Sequence, residues 1–436
     1  MSLQTVRRKN FRTYSLRSLT GHLLVLMSIL ASGSLYYTTS SDLFLLLYFS
    51  ICMGTFILLK RFTLSKYYFH YALISIGFLL MHPLLLGNFN ISNIYLGYSI
   101  RIACFLIVVS ILGHKKFSLT YLRIMLFVCF FNLILYIIDV YLFQFSKSLP
   151  SFLPDLEAWD GHIFKNYIFY FVRIGLDGNS VPHSSFIRNI GFFWEGGAYQ
   201  YFLNIALILS LYVKKNPIFS FPNWILVISI ITTFSTTGYL IMTVVLASIV
   251  MGKSSKRMFF VKILIIIPLL LTVMFSPVIF NKLFDTDSRE YVGSTQRRVL
   301  DTVIDYNVFR DNPLLGIGLE NLEGWKSYST QLSGGSSSSN SLTNYLSKIG
   351  LLGFLITLYP FMRFDLKNKM NQMILLCNIL SILSQNFMLT PIFLLSMSLL
   401  HQKGFATPLL FRILAFIRNH FHRYPLSSES RSFQNL

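Results

Sequence analysis

Residues 93–113 read NIYLGYSIRIACFLIVVSILG, and residues 121–145 read YLRIMLFVCFFNLILYIIDVYLFQF. Each stretch is apolar over about 20 residues, the length that an α-helix needs to cross the hydrocarbon core of a bilayer. The linker between them contains His114-Lys115-Lys116, and short basic linkers of this kind stay on the cytoplasmic side. This part of the chain therefore predicts two transmembrane helices joined by a cytoplasmic turn.

The composition extends this interpretation to the whole chain. Hydrophobic residues make up 54% of its 436 residues and charged residues only 12%, which is typical of a membrane protein. The net charge of +20 comes from basic residues between apolar runs, so we interpret it as a topology signal and exclude a nucleic-acid-binding protein. The four cysteines lie in predicted spans without a CxxC pair, so neither a zinc site nor a disulfide framework is predicted.

Apolar runs recur along the chain and predict an all-α, polytopic bundle of about twelve transmembrane helices. The clear runs are 21–38, 42–59, 67–86, 93–113, 121–145, 191–213, 259–280 and 342–362. Two longer runs, 223–251 and 370–402, have basic residues at both ends, so each must cross an even number of times. The polar break Ser235–Gly238 divides the first into two short crossings or a re-entrant pair, and Thr390-Pro391 divides the second.

The basic linkers predict that both termini are cytoplasmic and that two long segments lie on the outer side. The predicted regions are five helices in 1–145, a first large outer loop in 146–190, helices six to nine in 191–280, a second large outer loop in 281–341, helices ten to twelve in 342–402, and a basic cytoplasmic tail in 403–436. Apart from Asp365, Glu429 and Asp139, the 17 acidic residues fall in or next to the outer segments. We therefore expect acid–base chemistry on the outer face, although outer loops also need charged residues for solvation alone.

The first outer loop ends in the sequence RNIGFFWEGG at residues 188–197. A carboxylate at the edge of an aromatic span is partly removed from water, which makes Glu195 a candidate proton acceptor. The glycines after it permit close approach of backbone or substrate. Arg188 precedes Glu195 by about two turns if the segment is helical. The alternative is an interfacial Arg–Glu ion pair beside an aromatic belt.

The second outer loop contains an amphipathic pattern, with apolar residues at 299, 300, 303, 304 and 308. The pattern predicts a helix that begins at a cap on Ser294 or Thr295 and ends before Pro313. Arg297, Asp301 and Asp305 share one face, which is consistent with simple surface pairing. Alternatively, the arginines of this region, Arg297, Arg298 and Arg310, bind a phosphate group, because a guanidinium holds two oxygens at once.

Three further features have polar groups in or near predicted spans. Arg101 lies about nine residues into a span, so it should face either a polar cavity or a partner such as Asp139. His183 is an outer-loop candidate whose alternative is simple solvation. Thr236, Thr237 and Gly238 either line a cavity at the broken hairpin or only end a helix.

Taken in order, these motifs resemble the bacterial Wzy-type polymerases of O-antigen and capsule repeat units and their relatives, the O-antigen ligases. The matching elements are Arg188-x-x-Gly191-x-Phe193-x-Glu195, the Ser235–Gly238 break, Gln296-Arg297-Arg298, the turn Asn312–Gly318, and Ser339–Leu346 leading into Gly350-Leu351-Leu352-Gly353. They extend over residues 186–362, and their order and sidedness carry the resemblance.

The resemblance implies a metal-independent, cofactor-free membrane glycosyltransferase that acts on undecaprenyl-pyrophosphate-linked oligosaccharides at the outer face of the bacterial inner membrane. A sugar hydroxyl attacks an anomeric carbon and expels lipid pyrophosphate, so a base and positive charge are needed. We assign Glu195 as the base and Arg188, Arg297 and Arg298 to the leaving group. The substrate-binding candidates are Arg101, Arg310, Asn340, Asn344 and His183. A flippase and a chain-length regulator are the expected protein partners.

The chain departs from the family pattern at two positions, and two rival functions are considered. Ligase-like members have a histidine where this chain has Ser339, which favours a polymerase, and Glu195 is followed by Gly196 where a proline is common. An O-antigen ligase is the nearest rival, with the same chemistry and another acceptor. A lipid-linked oligosaccharide flippase is a rival of another class, but it needs no large outer loops and usually shows an internal repeat. The sugars and the type of polysaccharide stay open.

Overall fold

The structure is a computed structural model that describes residues 18–59, 65–88, 92–143, 149–157, 161–174, 188–251, 289–331, 338, 340–362 and 366–401. The described residues from 18 to 143 are mostly helical. The helices are α1 (Ser18–Leu30), α2 (Leu35–Thr39), α3 (Ser41–Leu58), α4 (Lys66–Leu85) and α5 (Asn93–Ile137), the last continuing as a π-helix (Ile138–Phe143). The backbone of α5 is non-helical at Gly113, so α5 contains both of the helices that the sequence predicts on either side of the basic linker.

The C-terminal half is also helical. Its helices are α6 (Gly196–Tyr212), α7 (Phe221–Thr232), α8 (Thr236–Met251), α9 (Arg289–Asp311), α10 (Leu322–Gln331), α11 (Ser341–Leu358), α12 (Lys369–Ile382) and α13 (Pro391–Ser398). Short 3-10 turns follow α11 (Tyr359–Met362) and α13 (Leu399–His401). Nearly every residue of α6 is buried, and α6 packs against α5, α7, α8 and α12, so it lies at the centre of the bundle.

Within the described residues, four helices are long and apolar enough to cross a membrane: Ser41–Leu58, Lys66–Leu85, Asn93–Leu142 and Ser341–Leu358. The apolar helices α1, α7 and α8 are shorter. The four long helices agree with the predicted runs to within a few residues, whereas α1 ends eight residues before the end of the predicted run 21–38, and the chain is an integral membrane protein. The number of twelve spans, the sidedness and the division into six regions stay predictions, and the predicted span 259–280 lies outside the described residues.

The segment predicted as the first outer loop contains a small sheet that its sequence did not predict. Strands β1 (Leu153–Glu157), β2 (Ile163–Asn166) and β3 (Phe171–Ile174) form an antiparallel sheet in the order β1-β2-β3. Ile163 pairs with Ile174 at one end of the β2–β3 hairpin, and Asn166 pairs with Phe171 at the other. The fold is therefore mostly helical but not all-α. The strands were not predictable from a long apolar run, because they are held together by pairing with one another.

Both long C-terminal runs are interrupted as predicted, but the first break lies earlier than the predicted Ser235–Gly238, because Thr236, Thr237 and Gly238 already belong to α8. Residues 233–235 separate α7 from α8, and residues 383–390 separate α12 from α13. Thr390 caps α13 by accepting a hydrogen bond from the Phe393 amide (3.4 Å), and Pro391 occupies the first turn, where its missing N–H is tolerated. The proline thus starts a helix at this break.

The start predicted for the amphipathic helix is wrong, and the condition on which Arg188 and Glu195 would be two helical turns apart is not met. Helix α9 begins at Arg289, so Ser294 and Thr295 lie inside it and do not cap it. Residues 188–195 are not helical, and Gly191 has a φ of 60°, so Arg188 and Glu195 are not two turns apart on one helix. The end of α9 at Asp311, shortly before Pro313, agrees with the prediction.

Helix α11 is broken at Gly350, where φ is 66°, and residues 313–318 close the break. The amides of Leu351 and Leu352 donate to the carbonyls of Pro313 (2.8 Å) and Leu314 (3.1 Å). In return, the amides of Ile317 and Gly318 donate to carbonyls of residues 347 (3.2 Å) and 348 (2.8 Å). These four bonds replace the helical bonds that the kink removes, so no backbone group involved in them is left without a partner.

Candidate functional site

The loop of residues 188–195 is anchored by Asn189, which is fully buried. Its side-chain amide donates to Asn132 Oδ1 on α5 (2.8 Å) and to Thr232 Oγ1 at the end of α7 (3.0 Å). Its backbone amide donates to the Thr232 carbonyl (2.9 Å), and its Oδ1 accepts from the Gly191 amide (3.1 Å). One asparagine thus ties the loop to two membrane helices.

Glu195 occupies the N-cap position of α6 in extended conformation and is half-buried. Its side chain makes no capping hydrogen bond, and it pairs with no other residue in the part of the chain that the structure describes. A Cβ on Gly196 would meet the Thr233 carbonyl oxygen at 2.6 Å, so the residue after Glu195 must be glycine for the α7–α8 break to pass here. This close approach accounts for the departure from the Glu-Pro pattern.

Gly197 brings a second polar group to the same place. A Cβ at this position would meet Gln385 Nε2 at 2.5 Å and Glu195 Oε1 at 3.4 Å, so both groups lie beside the α6 backbone at Gly197. Gln385 comes from the α12–α13 break and is 5% exposed. Its side-chain amide has no hydrogen-bond partner among the described residues. A carboxylate and an amide are therefore available for a ligand at one point.

Aromatic side chains form one wall beside Glu195. Trp194 packs over Gly33, where an added Cβ would lie 2.2 Å from the indole ring. The same indole lies 5.7 Å from the Phe387 ring, measured between centroids, and Phe387 stacks on Tyr201 at 4.5 Å. The turn between α1 and α2 and the α12–α13 break are thus held against the start of α6.

Two buried amides lie one turn further along α6. Asn204 Nδ2 donates to Gln200 Oε1 (3.0 Å) and to the Gly238 carbonyl (3.3 Å) at the start of α8. Gln200 Nε2 and Asn204 Oδ1 have no hydrogen-bond partner within the described ranges. A Cβ on Gly238 would meet Gln200 at 2.8 Å, which explains the glycine in the predicted break. Unpaired amide atoms inside a membrane helix are costly and point to a polar ligand or water.

Together with the predicted sidedness, the lengths of α6 and α7 predict a site below the outer membrane edge. The twelve residues of α7 rise about 18 Å and the 17 residues of α6 about 25 Å, whereas a bilayer core is about 30 Å thick. Both helices run from the turn at residues 213–220 to the loop that holds Asn189 and Glu195. If that turn lies at the cytoplasmic edge, as Lys214 and Lys215 predict, the site is recessed in the outer half of the membrane.

A second cluster surrounds Asp305 on α9. Its carboxylate is 1% exposed and accepts hydrogen bonds from Trp325 Nε1 (2.8 Å), Ser338 Oγ (2.8 Å), Thr343 Oγ1 (2.6 Å) and Asn344 Nδ2 (3.3 Å). Burial raises the pKa of Asp305 above its usual value, although these hydrogen bonds act in the opposite direction. Asp301 is also fully buried, so the prediction of simple surface pairing for these two residues is wrong.

The two predicted asparagines belong to this second cluster. Asn340 caps α11 through bonds from the Leu342 and Thr343 amides (3.1 and 3.3 Å), and its Nδ2 donates to Thr302 Oγ1 (3.3 Å). Asn344 binds Asp305. Ser341 Oγ donates to the Ile382 carbonyl (2.9 Å), so the start of α11 lies against the break that contributes Gln385. The two clusters are therefore neighbours.

The predicted arginines are distributed over several environments. Arg188 is exposed and lies close enough to Tyr239 for electrostatic interaction, but it forms no ion pair with Glu195, so the interfacial-pair alternative is wrong. Arg298 is half-buried, and its carbonyl accepts from Thr302 Oγ1 (2.8 Å). Arg310 is exposed and pairs with Asp311 (3.1 Å). Arg297 belongs to α9, but its side chain lies outside the described part, as does His183.

Arg101 is held by tyrosines. Its guanidinium donates to the Tyr37 hydroxyl and lies over the rings of Tyr37 and Tyr98, 5.5 and 5.0 Å from their centroids. The suggested partner Asp139 instead accepts from the Tyr170 hydroxyl (2.8 Å), so the pairing of Arg101 with Asp139 is wrong. Cation–π contacts satisfy a guanidinium without a carboxylate, although Arg101 Nε has no partner within the described ranges.

Sequence reasoning missed Gln385, Gln200, Asn204, Asn189 and Asn132. Each is a polar residue inside or beside an apolar run, and such residues are expensive in a membrane, so their occurrence alone was a usable signal. The sequence does not indicate which of these residues lie near Glu195, because that depends on helix packing. Among the described residues no group of three His, Cys, Asp or Glu side chains is arranged to hold a metal ion.

A family model described as O-antigen ligase matches residues 221–358. The matched stretch begins at α7, includes the α7–α8 break, α9 and Asp305, and ends with the broken helix α11. No curated protein sequence matches the chain. The match and the apolar helices together indicate an integral membrane protein similar, over residues 221–358, to the family of O-antigen ligases and Wzy-like polymerases, whose members act on lipid-linked glycans.

Proposed function

We propose that this protein is a repeat-unit polymerase that joins undecaprenyl-pyrophosphate-linked oligosaccharides at the outer face of the bacterial inner membrane. The observation that carries the proposal is the half-buried Glu195 carboxylate, which stands beside the Gln385 amide where two helix breaks meet α6 and has no partner among the described residues. The similarity to a family that acts on lipid-linked glycans supports the class of substrate.

In the proposed reaction Glu195 accepts the proton of the attacking sugar hydroxyl. The hydroxyl oxygen forms a bond to the anomeric carbon of the other glycan, and the bond from that carbon to the lipid pyrophosphate breaks. The leaving group is already activated, so positioning, a base and positive charge are sufficient, and no metal or cofactor is proposed. Gln385 is suited to orient the hydroxyl, because its amide both donates and accepts hydrogen bonds.

The pyrophosphate is assigned to the arginines of the outer segments. Arg188 lies seven residues before Glu195 on the same anchored loop, and Arg298 lies on α9, whose next turns carry the Asp305 cluster. Arg297 completes this proposed set. Arginine is preferred over lysine for this role, because the planar guanidinium binds two phosphate oxygens at once.

An O-antigen ligase is the second candidate, since the matching family includes both O-antigen ligases and Wzy-like polymerases and the match does not separate them. The two reactions share donor chemistry and differ in the acceptor. Ser339 stands where ligase-like members have a histidine, and this residue supports the polymerase. Ser339 lies outside the described residues.

The test is a gel of surface and lipid-linked glycans from a strain that lacks the gene, with and without complementation. A polymerase predicts single repeat units at the surface and no long polymer. Long polymer retained on its lipid carrier indicates a ligase. Repeat units trapped on the cytoplasmic side indicate a flippase, and an unchanged profile contradicts the whole proposal.

A further inference from the structure

The turn of the β2–β3 hairpin, residues 167–170, packs against the side of α5 well below the end of that helix. Phe169 stacks on Phe131 with centroids 5.8 Å apart and contacts Phe127 edge-on at 5.8 Å. Phe131 lies twelve residues before the end of the π-helix at Phe143, which corresponds to about 18 Å of helix. The hairpin turn is therefore beside the apolar part of a candidate membrane span.

Helix lengths place this turn within the membrane. From His114 to Phe143 the helical segment rises about 45 Å, about 15 Å more than a bilayer core, so its outer end projects beyond the core. A second route runs through Asn132, whose Nδ2 donates to the Phe169 carbonyl (2.9 Å) and which also binds Asn189. The Asn189 backbone amide in turn donates to the end of α7, a helix only about 18 Å long. Both routes place the turn in the outer half of the core.

The polar backbone groups of the turn are satisfied in the way that a membrane requires. The Ile168 amide donates to Asn166 Oδ1 (2.9 Å), and the Ile168 carbonyl lies 3.4 Å from the Tyr36 hydroxyl. The Phe169 amide donates to the Tyr167 carbonyl (2.9 Å). Non-helical backbone is tolerated at membrane depth when protein groups satisfy it, and an aqueous loop has no need of this arrangement.

The outward side of the turn is apolar. Ile168 is 41% exposed, and its φ of 70° is unusual for a β-branched residue, so the backbone is strained to point this side chain outward. The exposed aromatic side chains Phe127, Phe130 and Phe131 continue this surface along α5. The continuous apolar surface has the chemistry of a lipid-facing surface.

We propose that the β2–β3 hairpin is inserted tip-first into the outer leaflet, with Ile168 in contact with phospholipid acyl chains and Ile163 in water. Ile163 is the natural comparison, because it is an isoleucine with 43% exposure at the opposite end of the same hairpin. Five residues of extended chain separate the two by about 16 Å. The Phe171 amide donates to the Gly191 carbonyl (3.0 Å), so insertion also anchors the loop that ends at Glu195.

The test uses the full-length protein in nanodiscs, with Ile168→Cys and Ile163→Cys each labelled with bimane. Wild-type protein treated with bimane is the control for background labelling, since its four cysteines are buried. We expect nitroxide lipids to quench the probe at 168, and we expect iodide to quench it several-fold less than the probe at 163. Equal iodide quenching at both positions overturns the proposal, and so does equal lipid quenching, which indicates a hairpin lying flat on the surface.

A second measurement covers the case in which labelling disturbs the purified protein. In whole cells opened to periplasmic reagents, a membrane-impermeant maleimide should modify Ile163→Cys directly and Ile168→Cys only after detergent is added. Modification of both positions without detergent contradicts insertion. Neither result depends on the reaction that the protein catalyses.

Discussion

The break in α11 at Gly350 is closed by four backbone hydrogen bonds from residues 313–318, whereas the breaks that meet near Glu195 leave polar side chains without partners. At Gly350 a second chain segment supplies two acceptors and two donors to the broken helix. Near Glu195 the carboxylate and the Gln385 amide have no hydrogen-bond partners within the described part of the chain, and the same holds for Gln200 Nε2. Both arrangements lie in or beside membrane helices, where an unsatisfied polar group costs several kcal/mol.

The difference indicates two uses of a broken helix. A break whose polar groups are all paired is a structural joint, and its residues should affect stability. A break with unpaired polar groups has a cost that a bound ligand can remove, and its residues should affect activity. Four experiments follow from this contrast, and each compares a residue of one kind with a matched control.

Glu195→Gln is expected to have the largest effect. It keeps the size and hydrogen-bonding ability of the side chain but removes the proton acceptor, so polymer formation should fall by about 10²- to 10⁴-fold. The measurement is polymer on a glycan gel at equal protein level. Glu323→Gln, an exposed position in the first turn of α10, is the control and should form normal polymer. Normal polymer length in Glu195→Gln excludes this residue as the base.

Gly350→Ala should unfold the structural joint. A Cβ at this position would lie 2.2 Å from the Leu314 carbonyl oxygen, and the positive φ adds strain. We expect a loss of at least about 2 kcal/mol in the free energy of unfolding, measured as thermal denaturation in detergent. Gly54→Ala on α3 has open space around it and should be neutral or slightly stabilising. Equal melting temperatures for the two variants contradict the close packing at Gly350.

Gln385→Leu and Asn378→Leu separate the two kinds of buried amide. Asn378 Oδ1 accepts from Tyr201 and Ser396 (both 2.8 Å), so its replacement removes two buried hydrogen bonds and should cost about 1–3 kcal/mol of stability. Gln385 has no such partners, so its replacement should leave the melting temperature unchanged and reduce polymer formation about 3- to 10-fold. A drop in melting temperature for Gln385→Leu similar to that of Asn378→Leu contradicts the contrast between the two breaks.

The smallest expected effect is the pH dependence that Asp305 confers on the outer segment. Burial raises the pKa of Asp305 above its usual 3.8. At a pH between 3.8 and the folded pKa, the folded protein therefore retains a proton that the unfolded chain has released. Its contribution to stability therefore decreases as the pH rises from about 3.8 to the folded pKa and is constant above it. Subtracting the melting curve of Asp305→Asn from that of the wild type across this window should show the decrease.

Asp311→Asn is the control with the opposite sign. The Tyr328 hydroxyl and the Arg310 guanidinium lower the pKa of Asp311, so its contribution is present above the unfolded pKa and is lost as the pH falls through the folded pKa. Difference curves of the same sign for the two variants contradict the burial of Asp305.

Much of the helical framework was predictable from the sequence. Apolar runs of spanning length predicted the long helices. Polar and proline residues within the long runs predicted interruptions close to the breaks at 233–235 and 383–390. Both signals depend on a few neighbouring residues only. The strands were missed because sequences such as Ile163–Asn166 are too short to show a period, and only pairing with Phe171–Ile174 makes them strands.

The candidate site was predictable only in part. Glu195 was found because a carboxylate next to an aromatic span is unusual. Asn340 and Asn344 were assigned to substrate, but the structure shows them capping α11 and binding Asp305. Arg101 and Asp139 were considered as partners on charge alone, and each has a tyrosine instead. A charged residue in a span indicates that a partner is needed, but it does not indicate which helix supplies that partner.

The sequence by itself determined that this is a membrane protein, where its long apolar helices lie and that two of its apolar runs are interrupted, because hydrophobicity and backbone chemistry are local properties. The tertiary structure decided which breaks meet. It brought Gln385 to Gly197 across nearly 190 residues of chain, closed the Gly350 break with residues 313–318, and laid a hairpin turn against α5. These contacts depend on the packing of whole helices against one another, and no single stretch of residues encodes that packing.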